Sequence, residues 1–147
     1  MLRRTLTAAS LLLLLTIAGC DDNDSSPTDP TDEPPEDLVI VTESFEGVVL
    51  QLGTASHNFM VATPGPITFA LTEISPLATI TMGMGIGNPD TDDPSKCNQF
   101  ASDTSVRAGQ SLQATATSAA AYCVSVFDVG NIFADQEIAY KLTVTHP

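Results

Sequence analysis

The chain has 147 residues, 43% of them hydrophobic, and carries 18 acidic against 5 basic side chains, a formal net charge of −13 at pH 7. A surface this acidic repels phosphate backbones, which excludes nucleic acid as a partner. The same charge excludes attachment to an anionic bilayer through a polybasic patch.

The N-terminus has the layout of a secretory signal peptide. A charged start, Arg3-Arg4, precedes an apolar run that ends in small residues. The closing stretch Ile17-Ala18-Gly19-Cys20 resembles the lipobox of bacterial lipoproteins, in which the cysteine is lipidated and becomes the first mature residue. This resemblance implies that residues 1–19 are removed as a lipoprotein signal peptide. It also implies that Cys20 carries acyl chains such as palmitate, with membrane lipid as its partner.

Two other interpretations of this stretch are open. The uncharged segment 5–20 has 16 residues, whereas a membrane-spanning helix needs roughly 20 mostly apolar ones, which disfavours a transmembrane anchor. An ordinary secretory signal would place Cys20 near the cut by coincidence. Asp21 after the cysteine resembles an inner-membrane retention signal of enteric bacteria, and the choice between inner and outer membrane stays open.

Residues 20–37 follow as an acidic, proline-rich segment behind the cysteine. Positions 21–37 hold 8 acidic residues, 4 prolines and no basic or apolar side chain. Such a composition cannot bury enough surface to offset the entropy of ordering, which predicts a disordered tether. Fully extended, the tether would reach roughly 50 Å from the membrane.

The remaining residues, 38–147, suit one domain with one hydrophobic core. Cys97 and Cys123 are the cysteines left once Cys20 is assigned to lipid. In an exported protein two remaining thiols predict a disulfide, with a free reactive pair as the alternative. The loop closed by this bond spans 26 sequence steps, which predicts about 3–4 kcal/mol of stabilisation.

Strand patterns follow one another through this domain. Apolar residues alternate with threonine or glycine, as in half-buried antiparallel strands, and no window shows convincing helical periodicity. The glycines that alternate with apolar residues in 82–87 predict a flattened strand. Seven or eight strands predict an all-β protein, an antiparallel β-sandwich of Greek-key or jelly-roll type. The predicted strands are 38–42, 45–52, 56–63, 67–72, 78–86, 112–117, 122–129 and 140–145.

Four short motifs follow one another through this domain: Phe45-Glu46-Gly47 with Leu50, Phe59-Met60-Val61, the stretch from Ala121 to Asp128, and the closing stretch from Tyr140 to Val144. Together they resemble the bacterial pre-peptidase C-terminal domain. The resemblance covers most of residues 43–146 and implies a small jelly-roll-like β-sandwich. Members of that family accompany secreted peptidases or other enzymes, so the resemblance implies an accessory role.

Few groups in the sequence suit catalysis. No Gly-x-Ser-x-Gly elbow, His-Glu-x-x-His pair or phosphate-binding glycine loop occurs. His57 alternates with Phe59 and is expected at a strand edge or turn, while His146, beside the C-terminus, is expected to be mobile. Acid and base chemistry of the glycosidase kind would need two carboxylates held together. Nothing in the sequence brings together any two of Glu43, Glu46 and Glu73.

The segment 88–95 offers several oxygen ligands within a few residues, which is what Ca²⁺ prefers. Asp90, Asp92 and Asp93 are the candidate calcium ligands. The spacing differs from that of an EF-hand, and a solvated acidic loop is the alternative.

Together these features predict a lipoprotein of the bacterial cell envelope, anchored to a membrane on its extracytoplasmic side. Its β-sandwich would serve as a non-catalytic interaction or structural module with an envelope protein as partner. No enzyme activity is expected, and no cofactor apart from the calcium considered above. The alternative is a calcium- or ligand-binding accessory module associated with a secreted hydrolase or peptidase.

Overall fold

The computed structural model describes residues 38–147, so the predicted signal peptide, Cys20 and the acidic tether lie outside the described residues. The described part of the chain consists of strands and connecting loops, and it contains no helix long and apolar enough to cross a membrane. The strands are β1 (Val41–Leu50), β2 (Thr54–Val61), β3 (Gly65–Ser75), β4 (Met82–Pro89), β5 (Cys97–Val106), β6 (Gln110–Ala116), β7 (Ala120–Phe127) and β8 (Glu137–His146).

The eight strands form two antiparallel sheets of four. The first sheet has the order β1-β8-β3-β6 and the second has the order β2-β7-β4-β5. The chain changes sheet at every connection except the β4–β5 hairpin, and this order is that of a jelly roll. The predicted antiparallel β-sandwich of jelly-roll type is confirmed.

Inward-facing side chains of both sheets form one hydrophobic core. Along β8 every second residue is buried, while the residues between them are exposed or half-buried. Burying a large aliphatic or aromatic side chain contributes about 1.5–3 kcal/mol relative to its exposure, so this core is the main source of stability. Its largest fully buried members are Phe69, Ile67, Leu71, Met82, Met84, Ile86, Ile138 and Leu142.

Strand β4 is buried on both faces, which explains its glycines. Its apolar residues point into the core, and its three glycines lie on the opposite face beneath other groups. A Cβ atom at Gly83 would lie 2.1 Å from the ring of Phe127, and one at Gly87 would lie 2.1 Å from the carbonyl oxygen of Asn98. The glycine face of this strand therefore permits close approach of its neighbours.

Three local predictions are wrong. Residues 78–81 precede β4 in a turn, where the N–H of Ile80 donates to the carbonyl oxygen of Leu77 at 3.0 Å. Asn88 and Pro89 lie outside the predicted strand 78–86 but are the last two residues of β4. Residues 41–42 belong to β1 instead of forming a separate strand with 38–40.

Strand β5 is absent from the sequence prediction because it is an edge strand. It pairs with β4 alone, through a register that shifts twice, and residues 98–105 are all exposed. Alternating hydrophobicity arises when one face of a strand is buried and the other is solvated. A strand exposed on both faces carries no such signal.

Candidate functional site

The predicted disulfide is present in the structure. Cys97 and Cys123 are bonded, with their Cα atoms 5.7 Å apart. The bond joins β5 to β7, which are separated in the sheet by β4, and Cys123 is the register partner of Gly87. The start of β5 thus folds over the glycine face of β4, where the absence of side chains leaves room for it.

The acidic residues predicted as calcium ligands form a hydrogen-bonded turn. Asp90 Oδ1 accepts the N–H groups of Asp92 and Asp93 at 2.9 and 3.0 Å. The N–H of Asp92 is the largest cause that lowers the pKa of the Asp90 carboxyl, followed by the Asn98 amide. Asp93 pairs with Lys96 at 3.2 Å. Within residues 38–147 no three His, Cys, Asp or Glu side chains are grouped to hold a metal ion, and calcium binding here stays a prediction.

His146 is buried, which corrects the expectation that it is mobile. Only 2% of the residue is exposed, its Nε2 lies 3.0 Å from Glu43 Oε1, and its ring lies 5.1 Å from that of Phe59. The reason is that β8 extends to His146 and pairs it with Val41 at the start of β1. The C-terminal residues of β8 are therefore held in the sheet.

His57 lies in the middle of β2, half-buried between the two sheets. Its Nε2 is 2.7 Å from the hydroxyl oxygen of Tyr140, and its ring stacks on Phe45 at 4.9 Å. Burial lowers the pKa of His57, and burial raises the pKa of Tyr140 to about 12. Tyr140 thus keeps its proton near neutral pH and can donate it in a hydrogen bond to the neutral imidazole.

We expect His57 to make the folded protein less stable at mildly acidic pH. Since its folded pKa lies below the unfolded value of about 6.5, the unfolded chain takes up the proton first. The stabilisation is complete above about pH 6.5 and is lost as the pH falls through the unfolded and then the folded pKa. Urea unfolding between about pH 7.5 and 5.5 should show a steeper decline for the wild type than for His57→Gln, which keeps a partner for Tyr140. Equal slopes would contradict this role.

Two of the three glutamates are brought together by the first sheet. Lys141 of β8 is the register partner of Glu46 on β1 and of Glu73 on β3. The Lys141 ammonium lies 3.0 Å from Glu46 Oε1. Glu43 instead contacts His146. The spacing of these residues along the chain does not indicate this grouping, because it depends on β8 lying between β1 and β3.

Beside this charged row, the outer face of the first sheet has an open depression of about 470 Å³. The next row along the strands consists of Val48, Ala139 and Ser75, which are register partners across the same three strands. Their side chains are shorter than those of the charged row, and this difference in length produces the hollow. We call it the outer-face depression, lined by Glu46, Gly47, Val48, Glu73, Ser75, Ala139, Tyr140 and Lys141.

One end of the sandwich presents apolar side chains to solvent. This loop end comprises residues 51–53, 76–81, 107–109 and 128–136, the connections that meet where β1, β3, β5 and β7 finish. Leu52 is 80% exposed and Phe133 is 71% exposed. Leu77 and Phe133 line one cavity of about 330 Å³.

The Asp128 carboxylate organises the loop end. It accepts N–H groups from Leu52 at 2.9 Å and from Gly130, Asn131 and Ile132 at 2.8–3.1 Å. Burial acts to raise the pKa of the Asp128 carboxyl, but these N–H donors together lower it. Leu52 is held at a φ of 55°, a left-handed backbone conformation that is uncommon for a residue other than glycine. The exposed Leu52 side chain is therefore held in place by hydrogen bonds of its backbone.

Comparison with known proteins gives little information on family. No protein-family model matches the chain, and no curated protein matches it in sequence. Among solved structures, the chain is similar to PliG of Aeromonas hydrophila, a periplasmic lysozyme inhibitor of g-type lysozyme. The two are 11% identical, with a TM-score of 0.46, and the match covers 70% of this chain and 83% of that one.

Proposed function

We propose that this protein is a lipoprotein of the bacterial cell envelope whose β-sandwich binds another protein. In this proposal Cys20 carries the acyl chains, and residues 21–37 connect the lipid to the folded domain. Two or more acyl chains anchor a protein stably, whereas one chain binds only marginally. The non-catalytic domain then works outside the cytoplasm, within reach of its tether.

Two observations support an extracytoplasmic location. The signal-like N-terminus ends in a lipobox-like sequence, and the folded domain contains the Cys97–Cys123 disulfide. Disulfides persist in oxidising compartments such as the periplasm and are rare in the cytosol. The resemblance to pre-peptidase C-terminal domains agrees with an exported accessory module.

The exposed apolar side chains of the loop end carry the proposal of protein binding. Leu77 and Phe133 line one cavity, Leu52 is 80% exposed on another loop of the same end, and the Asp128 carboxylate accepts backbone N–H groups from both Leu52 and Asn131. Large apolar side chains exposed together mark sites of interaction with other proteins or with membranes. Backbone order reduces the entropy lost when a partner binds.

The charge of the domain favours a protein over a membrane as the partner. Residues 38–147 carry ten acidic and three basic side chains, which disfavours insertion of the loop end into an anionic bilayer. Two of the three basic groups, Lys96 and Lys141, already pair with carboxylates. A protein with an apolar patch and basic residues around it is complementary to such a surface.

The contacts of the titratable side chains support a non-catalytic module. His57 bonds to Tyr140, and His146 contacts Glu43 inside the sandwich. The His146 residue is 2% exposed, and the half-buried His57 ring stacks on Phe45, so both rings face protein groups. A general base would instead need access to a substrate proton within hydrogen-bond reach.

Photo-crosslinking in the host cell tests this function. The variant Phe133→p-benzoylphenylalanine should give a light-dependent adduct with one protein, and Leu77→Ser in the same chain should reduce its yield several-fold. The matched control is Phe100→p-benzoylphenylalanine, because Phe100 is also exposed, at 53%, but lies on edge strand β5. With Cys20 intact, the adduct of the position-133 variant should fractionate with membranes, and adding Cys20→Ser should release it.

Each arm of this experiment has an outcome that overturns part of the proposal. Equal adducts from positions 133 and 100, or no adduct from either, would contradict a binding surface at the loop end. Retention of the Cys20→Ser protein in the membrane fraction would contradict lipid anchoring through that cysteine.

A further inference from the structure

The outer-face depression combines a carboxylate with an apolar floor. Glu73 and Glu46 stand on either side of Lys141 in one row, and Val48 and Ala139 lie two residues further along their strands. Residues two apart on a strand are about 7 Å apart. A ligand with a charged end and an apolar stem of that length could therefore contact the charged row and the apolar row at once. The depression thus has the dimensions and chemistry of a site for a long cationic side chain.

A β-bulge in β3 places Glu73 in this site. The register shifts between Leu71 and Glu73, so that Leu71 pairs with Leu142 and Glu73 pairs with Lys141. In a regular strand, Glu73 would lie on the same face as Leu71, two residues before it, and would point into the core. Bulges are frequent where a side chain must be re-aimed toward a site. Here the bulge turns a carboxylate outward beside the depression.

The electrostatic balance of the depression is negative. One ammonium, Lys141, stands between two carboxylates and pairs with Glu46 at 3.0 Å. Its hydrogen bond with Glu46, and then the charges of Glu46 and Glu73, raise the pKa of Lys141. Glu73 forms no ion pair with any residue in 38–147. The row of one ammonium and two carboxylates therefore has a net negative charge, which favours the binding of a second cation.

We propose that the outer-face depression binds an arginine side chain of the protein partner. Its guanidinium would pair with Glu73 in the planar, two-point geometry that carboxylates favour. The methylene groups would lie over Ala139 and Val48. This inference rests on the proposed protein-binding function and names the chemistry of the partner. The location is suitable because Leu50 and Glu137, two register pairs beyond Val48 and Ala139 and so on the same face of the sheet, lead into the loop end.

An NMR titration with Nα-acetyl-arginine amide tests the site in the purified protein. The probe should bind with a millimolar dissociation constant, since a single exposed ion pair is weak, and should shift the amide signals of Val48, Ser75 and Ala139. Nα-acetyl-citrulline amide has nearly the same shape without the charge and should shift them at least 3-fold less at equal concentration.

Two variants test separately what the Glu73 carboxylate and the shape of the depression contribute to arginine binding. Glu73→Gln should weaken arginine binding at least 3-fold, and Ala139→Leu, which fills the depression without changing its charge, should weaken it similarly. Asp92→Asn removes the same charge from an exposed loop on the other sheet and should leave binding unchanged.

The outcomes distinguish this inference from the proposed function. Signal changes spread evenly over the acidic surface, or equal weakening by Asp92→Asn and Glu73→Gln, would overturn the arginine site. Such a result would leave the crosslinking at position 133 unaffected. Conversely, localised arginine binding without any adduct from position 133 would contradict the loop-end surface and retain the site.

Discussion

Removal of the Cys97–Cys123 disulfide is expected to lower the free energy of unfolding by about 3–4 kcal/mol. The bond closes a loop with a sequence separation of 26, and the loss is the chain entropy that the unfolded state regains. Urea unfolding of the Cys97→Ala/Cys123→Ala variant should have its midpoint roughly 2–3 M below that of the oxidised protein, given the m-value of a domain this size.

The double alanine variant also loses stability for a reason other than the chain entropy of the unfolded state. Cys123 is fully buried, so its replacement by alanine also leaves a small cavity. The matched control is the wild-type protein with the disulfide reduced, which keeps both sulfur atoms. If the reduced protein unfolds at nearly the same urea concentration as the oxidised one, loop closure is not what stabilises this fold.

Gly87→Ala is expected to destabilise the protein by about 3 kcal/mol, at the upper end of the overpacking range. Its Cβ would lie 2.1 Å from the carbonyl oxygen of Asn98 and 2.7 Å from the Cα of Gln99. Both atoms belong to the backbone of β5, which the neighbouring disulfide at Cys97 holds in place. Relief of the clash therefore requires movement of a strand, and thermal or urea unfolding measures its cost.

Gly85→Ala is the matched control on the same face of β4. Its Cβ would meet the Gln99 side-chain oxygen at 2.5 Å and the carbonyl oxygen of Ala101 at 3.1 Å. The side chain can swing away, at the cost of its 2.6 Å hydrogen bond to Ser125, so we expect a loss of about 1–2 kcal/mol. Adding Gln99→Ala should relieve Gly85→Ala but not Gly87→Ala, and equal relief of both would contradict the distinction between backbone and side-chain contacts.

The fold class was predictable because its signals are local. Strands such as Ile67–Leu71 and Tyr140–Val144 alternate in the sequence as they do in the sandwich, since one face of each meets the core. The disulfide was predictable from the cysteine count together with the export that the N-terminal sequence predicts. Strand β5 was not, because an edge strand exposed on both faces has no alternation to detect.

The candidate sites were much less predictable than the fold. Glu46, Glu73 and Lys141 are separated by 27 and 68 positions in the chain, and only the order β1-β8-β3 makes them neighbours. One local clue was present: the apolar residues Leu71 and Ile74 break the period of two, as a β-bulge does. The exposure of Leu52 and Phe133 likewise depends on four loops that meet at one end of the sandwich.

Composition and local pattern therefore account for the all-β class, the Cys97–Cys123 disulfide and the acidic charge. These properties depend on individual residues or on neighbours along the chain. Tertiary structure alone decided the burial of His146, the partner of His57, and the arrangement of glutamates around Lys141. Each of these depends on which strands lie side by side and in which register, and strand pairing joins residues that are far apart in sequence.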